Sequence, residues 1–167
     1  EVRLDPTISV PASDLQTTYD LQVKLRDMHS TMNLALRFLD SVKEQLKQTQ
    51  TTMKNLNKEP DKDMTKALED YIKEIDTLQD RLAARNEGLG FSGRDQVADD
   101  ISGLFFALDG NAGPTLGQRQ YFEEFQLVYR TRMDEVNKFI RDTLPQWNDK
   151  LRAWNAPTLT TRKPLEY

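Results

Sequence analysis

Eleven positions in the first third of the chain fall on one unbroken four-three repeat: Leu21, Leu25, Met28, Met32, Ala35, Leu39, Val42, Leu46, Thr49, Met53 and Leu56. Only Thr49 among them is polar. A spacing of about 3.5 residues draws a single stripe along an α-helix, and a stripe this long needs a partner along its whole length. The chain is therefore expected to be all-α: an elongated, antiparallel (up-down-up-down) four-helix bundle with two long and two shorter helices.

The rest of the sequence repeats the pattern with clear punctuation. Ser13 and Gln16 read as a capping box that starts helix 1, which then runs to about residue 57, where Pro60 forbids its continuation. Met64, Leu68, Tyr71, Ile75, Leu78 and Leu82 place helix 2 at about 61–86, with Gly88 as a left-handed stop. Ser92 and Asp95 open helix 3, at about 93–109, with Val97, Ile101, Leu104 and Leu108 on its stripe. Thr115 and Gln118 cap helix 4, at about 115–155, striped by Phe122, Phe125, Tyr129, Met133, Val136, Ile140, Leu144, Trp147, Leu151 and Trp154. Pro145 interrupts that helix, so a kink is expected near Arg141 to Leu144. The bundle spans 13–156. Residues 157–167 lack periodicity and form an extended C-terminal tail. Residues 1–12 read as the end of a preceding β-domain or linker, because Val2 and Leu4 alternate with charges before Pro6.

Composition narrows the functional classes. With 167 residues, one domain with a real core is the default. A formal charge of -4 supplies no cationic excess for neutralising phosphates, so nucleic acid is not an expected partner. No apolar run approaches the ~20 residues that cross a bilayer, so membrane insertion is not expected either. With no cysteine, thiol chemistry and disulfides are excluded.

Candidate chemistry dissolves on inspection. Gly88 to Gly93 spells the dinucleotide pattern G-x-G-x-x-G, but that mechanism needs a preceding strand within a βαβ unit, and here a helix precedes. His29, the only histidine, flanks the stripe with no Glu-x-x-His partner. The adjacent carboxylates Asp99-Asp100 and Glu123-Glu124 point about 100° apart on a helix and read as a solvated face. Tyr129, Trp147 and Trp154 lie on an apolar stripe and read as core rather than as a sugar-stacking surface. No catalytic residue, metal ligand or cofactor is assigned.

Three stretches together resemble the C-terminal region of bacterial BNR-repeat, sortilin (VPS10)-like proteins, which are commonly described as glycosyl hydrolases. The first is Val2-Arg3-Leu4-Asp5-Pro6 with Ser13-Asp14-Leu15-Gln16. The second is Leu108-Asp109-Gly110 followed by Pro114-Thr115 and Gln118-Arg119 before Tyr121. The third is Leu144-Pro145-Gln146-Trp147-Asn148 with Leu151 and Ala156-Pro157. The resemblance implies an exported parent (periplasmic, cell-surface or secreted) with β-propeller repeats first and a helical segment last. The Asp-box repeats of such propellers are absent from this chain, so no functional residue carries over. The expectation is a non-catalytic structural or interaction domain, with the preceding β-domain or propeller as its partner. Two alternatives stand beside it: a module that contributes directly to glycan binding or processing, and a stand-alone bundle that forms a homodimer through helix 1. Trp154, Leu159, Leu165 and Tyr167 are the candidate docking residues, because antiparallel helices would bring the tail back beside Val2 and Leu4.

Overall fold

A computed structural model of the chain describes residues 10–55, 62–83, 96–108 and 112–167. The ordered elements are α1 (Ala12–Asn55), α2 (Lys62–Leu82), α3 (Val97–Ala107), α4 (Leu116–Lys138) and α5 (Leu144–Ala153), and α4 joins α5 through a π-helical turn at Phe139–Thr143. Among the described residues there is no strand, so the chain is an all-helical bundle.

The stripe is the core seam. Leu25, Ala35, Leu39, Val42 and Leu46 are fully buried. Thr49 is buried as well, and its hydroxyl donates to the Gln45 carbonyl of the preceding turn, which is how a polar side chain is accommodated in the seam. Met28 is half-buried, and Leu56 lies outside the described residues. Most described seam positions are thus buried within the chain. Leu36 and Phe38 also pack against the core, and Leu34 remains exposed.

The direction of the helices corrects the up-down-up-down expectation. The Lys24 ammonium lies over the Phe122 ring at 5.9 Å, and the Tyr129 hydroxyl donates to the Met28 carbonyl at 3.2 Å. Thr18 donates to the Ala112 carbonyl, and a Cβ placed on Gly113 would sit 2.7 Å from Asp14 Cβ. Thus α4 starts beside the start of α1 and ascends with it. Descending chain fills the third position in two pieces. Lys43 pairs with Asp76 at 2.6 Å, and Gln79 donates to Asp40, which sets α2 against the upper half of α1. Arg81 bonds Glu135 while Tyr71 stacks on Phe139 and Trp147, so α2 runs opposite to α4. Gln22 donates to the Leu108 carbonyl, Leu25 and His29 face Ile101 and Phe105, and Gln118 donates to the Ala107 carbonyl. This sets α3 antiparallel to the lower half of α1 and to the start of α4. The cross-section therefore holds three rods: α1 up, α2 then α3 down, α4 and α5 up.

At the start of α4 local structure follows the expected chemistry. Thr115 and Gln118 form a reciprocal capping box at α4. The start of α1 differs from expectation. The helix begins at Ala12, the Pro11 carbonyl accepts the first backbone bonds, and Gln16 reaches Asp20 instead of Ser13. Gln96 precedes α3 without a side-chain cap bond. The expected caps at Gly88, Ser92 and Asp95, and the whole glycine pattern, lie outside the described residues.

Pro145 takes effect one turn early. Its ring is incompatible with an α-helical carbonyl four residues back, at Arg141. The chain responds with the π-turn, in which the Leu144 N–H reaches back five residues to the Phe139 carbonyl. The turn slips the helical phase, and Val136, Asn137, Phe139 and Ile140 all face inward.

Candidate functional site

The most elaborated feature outside the core is the groove between α1 and the α4–α5 rod, which holds residues 157–167. After α5, Asn155 adopts a left-handed φ of 53°. The Ala156 N–H then closes on the Leu151 carbonyl at 2.8 Å, and the chain reverses and runs back down the bundle.

Two asparagines hold it there. Asn148 Nδ2 donates to the Leu159 carbonyl at 3.1 Å, and the Leu159 N–H donates to Asn148 Oδ1 at 2.6 Å. Asn137 repeats the arrangement on Leu165, at 2.9 Å and 2.7 Å. Both asparagines are only 4% exposed. Each side-chain amide thus satisfies both backbone groups of one tail residue, as a neighbouring β-strand would. The spacing matches. Eleven helical residues rise about 16 Å, and six residues of polyproline-II-like chain span about 19 Å. Burial in the tail recurs every third residue: Leu159 is buried, Arg162 half-buried and Leu165 buried. Between the anchors, the Thr160 N–H donates to Gln45 Oε1 at 2.7 Å, and the Arg162 guanidinium lies over the Phe38 ring at 5.4 Å. At the lower end Tyr167 meets Tyr129 edge-on at 5.9 Å and donates to Asp134.

These contacts revise the sequence-derived docking set. Leu159 and Leu165 are buried against this chain's own bundle, so neither is part of an exposed docking surface. Trp154 is half-buried and packs edge-on against Trp147 at 6.3 Å. Tyr167 retains exposed surface. The rods do not bring Trp154 to the starting end of α1, because α4 and α5 ascend with α1. Residues 1–9, the expected partner of the tail, lie outside the described residues. The asparagines escaped sequence reading because they sit one place off the stripe. A signal for them exists all the same: asparagine is a poor helix former, and each of these lies in helical sequence directly after an apolar stripe position.

Two further clefts adjoin this frame. Past Tyr167 the groove continues as an opening of about 380 Å³ lined by Lys24, Asp27, Thr31 and Gln126. There burial of the Tyr129 phenol pushes its pKa up to about 12, with a Thr31 hydrogen bond opposing and Tyr167 adding to the rise. On the other side of α1, Leu25, Ile101, Phe105 and Phe106 line an apolar cleft of about 210 Å³.

The residues considered for chemistry are dispersed. His29 is exposed beside Asn33. Asp100 accepts the Tyr121 hydroxyl, Glu123 and Glu124 are exposed, and Trp147 is buried in a stack with Tyr71. Comparison of the chain with protein-family models, curated proteins and solved structures finds no match. Among the described residues, no helix is long and apolar enough to cross a membrane.

Proposed function

We propose that this chain is a non-catalytic helical module of an exported BNR-repeat, sortilin-like protein, and that it packs against the domain preceding it in that parent. The observation that carries the reading is a concentration of exposed apolar side chains at the end where α1, α3 and α4 meet. Phe106 is 83% exposed and Leu116 71%, with Tyr19, Phe105 and Tyr121 also exposed. Large apolar side chains left exposed near one end of a bundle suit a contact with another protein surface. α1 begins at this same end, so a domain ahead of it in the parent is the occupant we favour. The buried polar side chains support the same reading, since Thr18, Gln79, Asn137 and Asn148 spend their hydrogen bonds on tying elements of the fold together.

Hydrogen exchange tests the proposal. In a protein that includes the preceding domain, amides of residues 101–107 are expected to exchange at least tenfold more slowly than in the isolated chain, and Phe106→Ala should remove much of the difference. Equal rates in the two contexts would sink the docking reading. Glycoside turnover by this chain alone, abolished by changing one Asp or Glu, would sink the non-catalytic one.

A further inference from the structure

We infer that the groove between α1 and the α4–α5 rod is a binding site for extended polypeptide, filled in cis by residues 157–167 and able to accept the same segment from a second copy of this chain. The inference is independent of the aromatic end of the bundle.

Three observations carry it. The first is how the tail is held. Asn137 and Asn148 pair with backbone N–H and C=O groups, which any extended segment presents, whichever molecule it belongs to. Specificity then comes from the two buried leucines six residues apart and from the terminal Tyr167 hydroxyl on Asp134. This division, main-chain bonds for affinity and side-chain pockets for selection, is how extended peptides are recognised elsewhere.

The second is the connection. The tail leaves α5 through one left-handed residue, Asn155, followed by Ala156 and the exposed Pro157. A short link between a stable body and a separately seated segment is the arrangement from which segments exchange between protomers.

The third is the body itself. The seam residues of α1 and of the α4–α5 rod are buried against one another and against α2 and α3. Leu159 and Leu165 add to this cluster, but most of its members lie on the helices, so core packing among the helices sets the groove walls. Tethering gives the chain's own tail an effective concentration near the millimolar range, so cis seating dominates in dilute solution. Exchange becomes visible when the resident tail is weakened or copies are concentrated.

The test uses the full chain carrying Leu159→Asp and Leu165→Asp, which unseats its own tail, and a fluorescent peptide of residues 157–167. The peptide is expected to bind this variant at least tenfold more tightly than it binds the unaltered chain. Adding Asn137→Ala and Asn148→Ala should abolish binding, as should placing the two aspartates in the peptide. A variant that keeps its helical spectrum and cooperative melting yet binds no peptide overturns the inference. Should the variant fail to fold, disulfide trapping in otherwise unaltered chains decides, because the protein has no cysteine of its own. A copy with Gln45→Cys is mixed with a copy with Thr160→Cys at high concentration and oxidised. Mixed disulfides well above those between Thr160→Cys and Gln120→Cys support exchange. Equal yields overturn it.

Discussion

Tyr71 shows how finely single residues are set. Its ring lies between Phe139, at 5.6 Å, and Trp147, at 4.2 Å, nearly parallel to both. Its hydroxyl is buried with no hydrogen-bond partner among the described residues. Such a group costs about 1–3 kcal/mol, while the ring stack is unaffected by its removal. Tyr71→Phe is therefore expected to leave stability unchanged or raise it by about 1 kcal/mol, read from the denaturant midpoint. A loss of that size would mean the hydroxyl has a partner in solution. The other phenols give a pH dependence. Burial pushes Tyr129 up to about 12. Tyr167 is raised too, by partial burial and then by the hydrogen bond and charge of Asp134, with Arg141 and Arg130 opposing. It is about half exposed, so solvent screening leaves Tyr129 as the main contributor. In the unfolded chain these groups titrate near 10. Above that pH the unfolded state has lost protons that the folded state retains, so stability falls as pH rises. Stability is expected to hold up to about pH 9 and decline between about 10 and 12. Tyr129→Phe should flatten that decline in denaturation curves collected across the range. Sequence showed that Tyr71 and Tyr129 were inward, from their place in a stripe. It did not show that one hydroxyl finds the Met28 carbonyl and the other finds no partner among the described residues, because that depends on which backbone groups of other helices lie opposite.

At the scale of elements, the tail and its two asparagines behave as one unit. Removing either side-chain amide leaves a buried N–H and C=O without partners. Asn148→Ala and Asn137→Ala should each cost about 1–3 kcal/mol, and each should speed hydrogen exchange most at its own anchor, Leu159 or Leu165. Uniform acceleration along the whole tail would instead mean that the anchors act only together. The helices were legible because four long stripes repeat at helical spacing, and the Thr115 capping box was legible because its bonds are local. What sequence missed at this scale came from competition or from distance. Gln16 has Asp20 one turn on as an alternative to Ser13, and it takes the alternative. Pro145 announces a disruption, but an open kink and a π-turn both relieve it, and the inward packing of Phe139 and Ile140 is satisfied by the turn. The tail has no period of its own to read, since its place is written in helix residues more than ten positions away.

For the molecule as a whole, the stripe specified that α1 must be covered along its length without saying by what. One helix does not cover it. α1 has 44 residues, α2 has 21 and α3 has 11, so the two shorter helices divide the task, α2 on the upper half and α3 on the lower. Four helices alternating in direction would require α3 to run opposite to α2, whereas α3 runs in the same direction as α2, antiparallel to α1. Lengths thus held the information that periodicity lacked: a short helix followed by a shorter one, flanked by two long rods, fits three positions better than four. The arrangement has a measurable signature. Paired spin labels can be placed at introduced cysteines, since the chain has none of its own. Asp20 and Gln120 are both exposed and lie at matching heights on parallel rods, so labels there should report a separation of the order of two helix diameters, each about 10 Å. Labels on Asp20 and Arg152 should be far apart, because the 32 residues from Gln120 to Arg152 rise about 48 Å along the rod. An up-down-up-down bundle reverses the order of the two distances, bringing Arg152 beside Asp20 and carrying Gln120 to the far end. Finding that reversed order would dismantle the three-rod arrangement, and with it the shared walls of the groove that holds the tail.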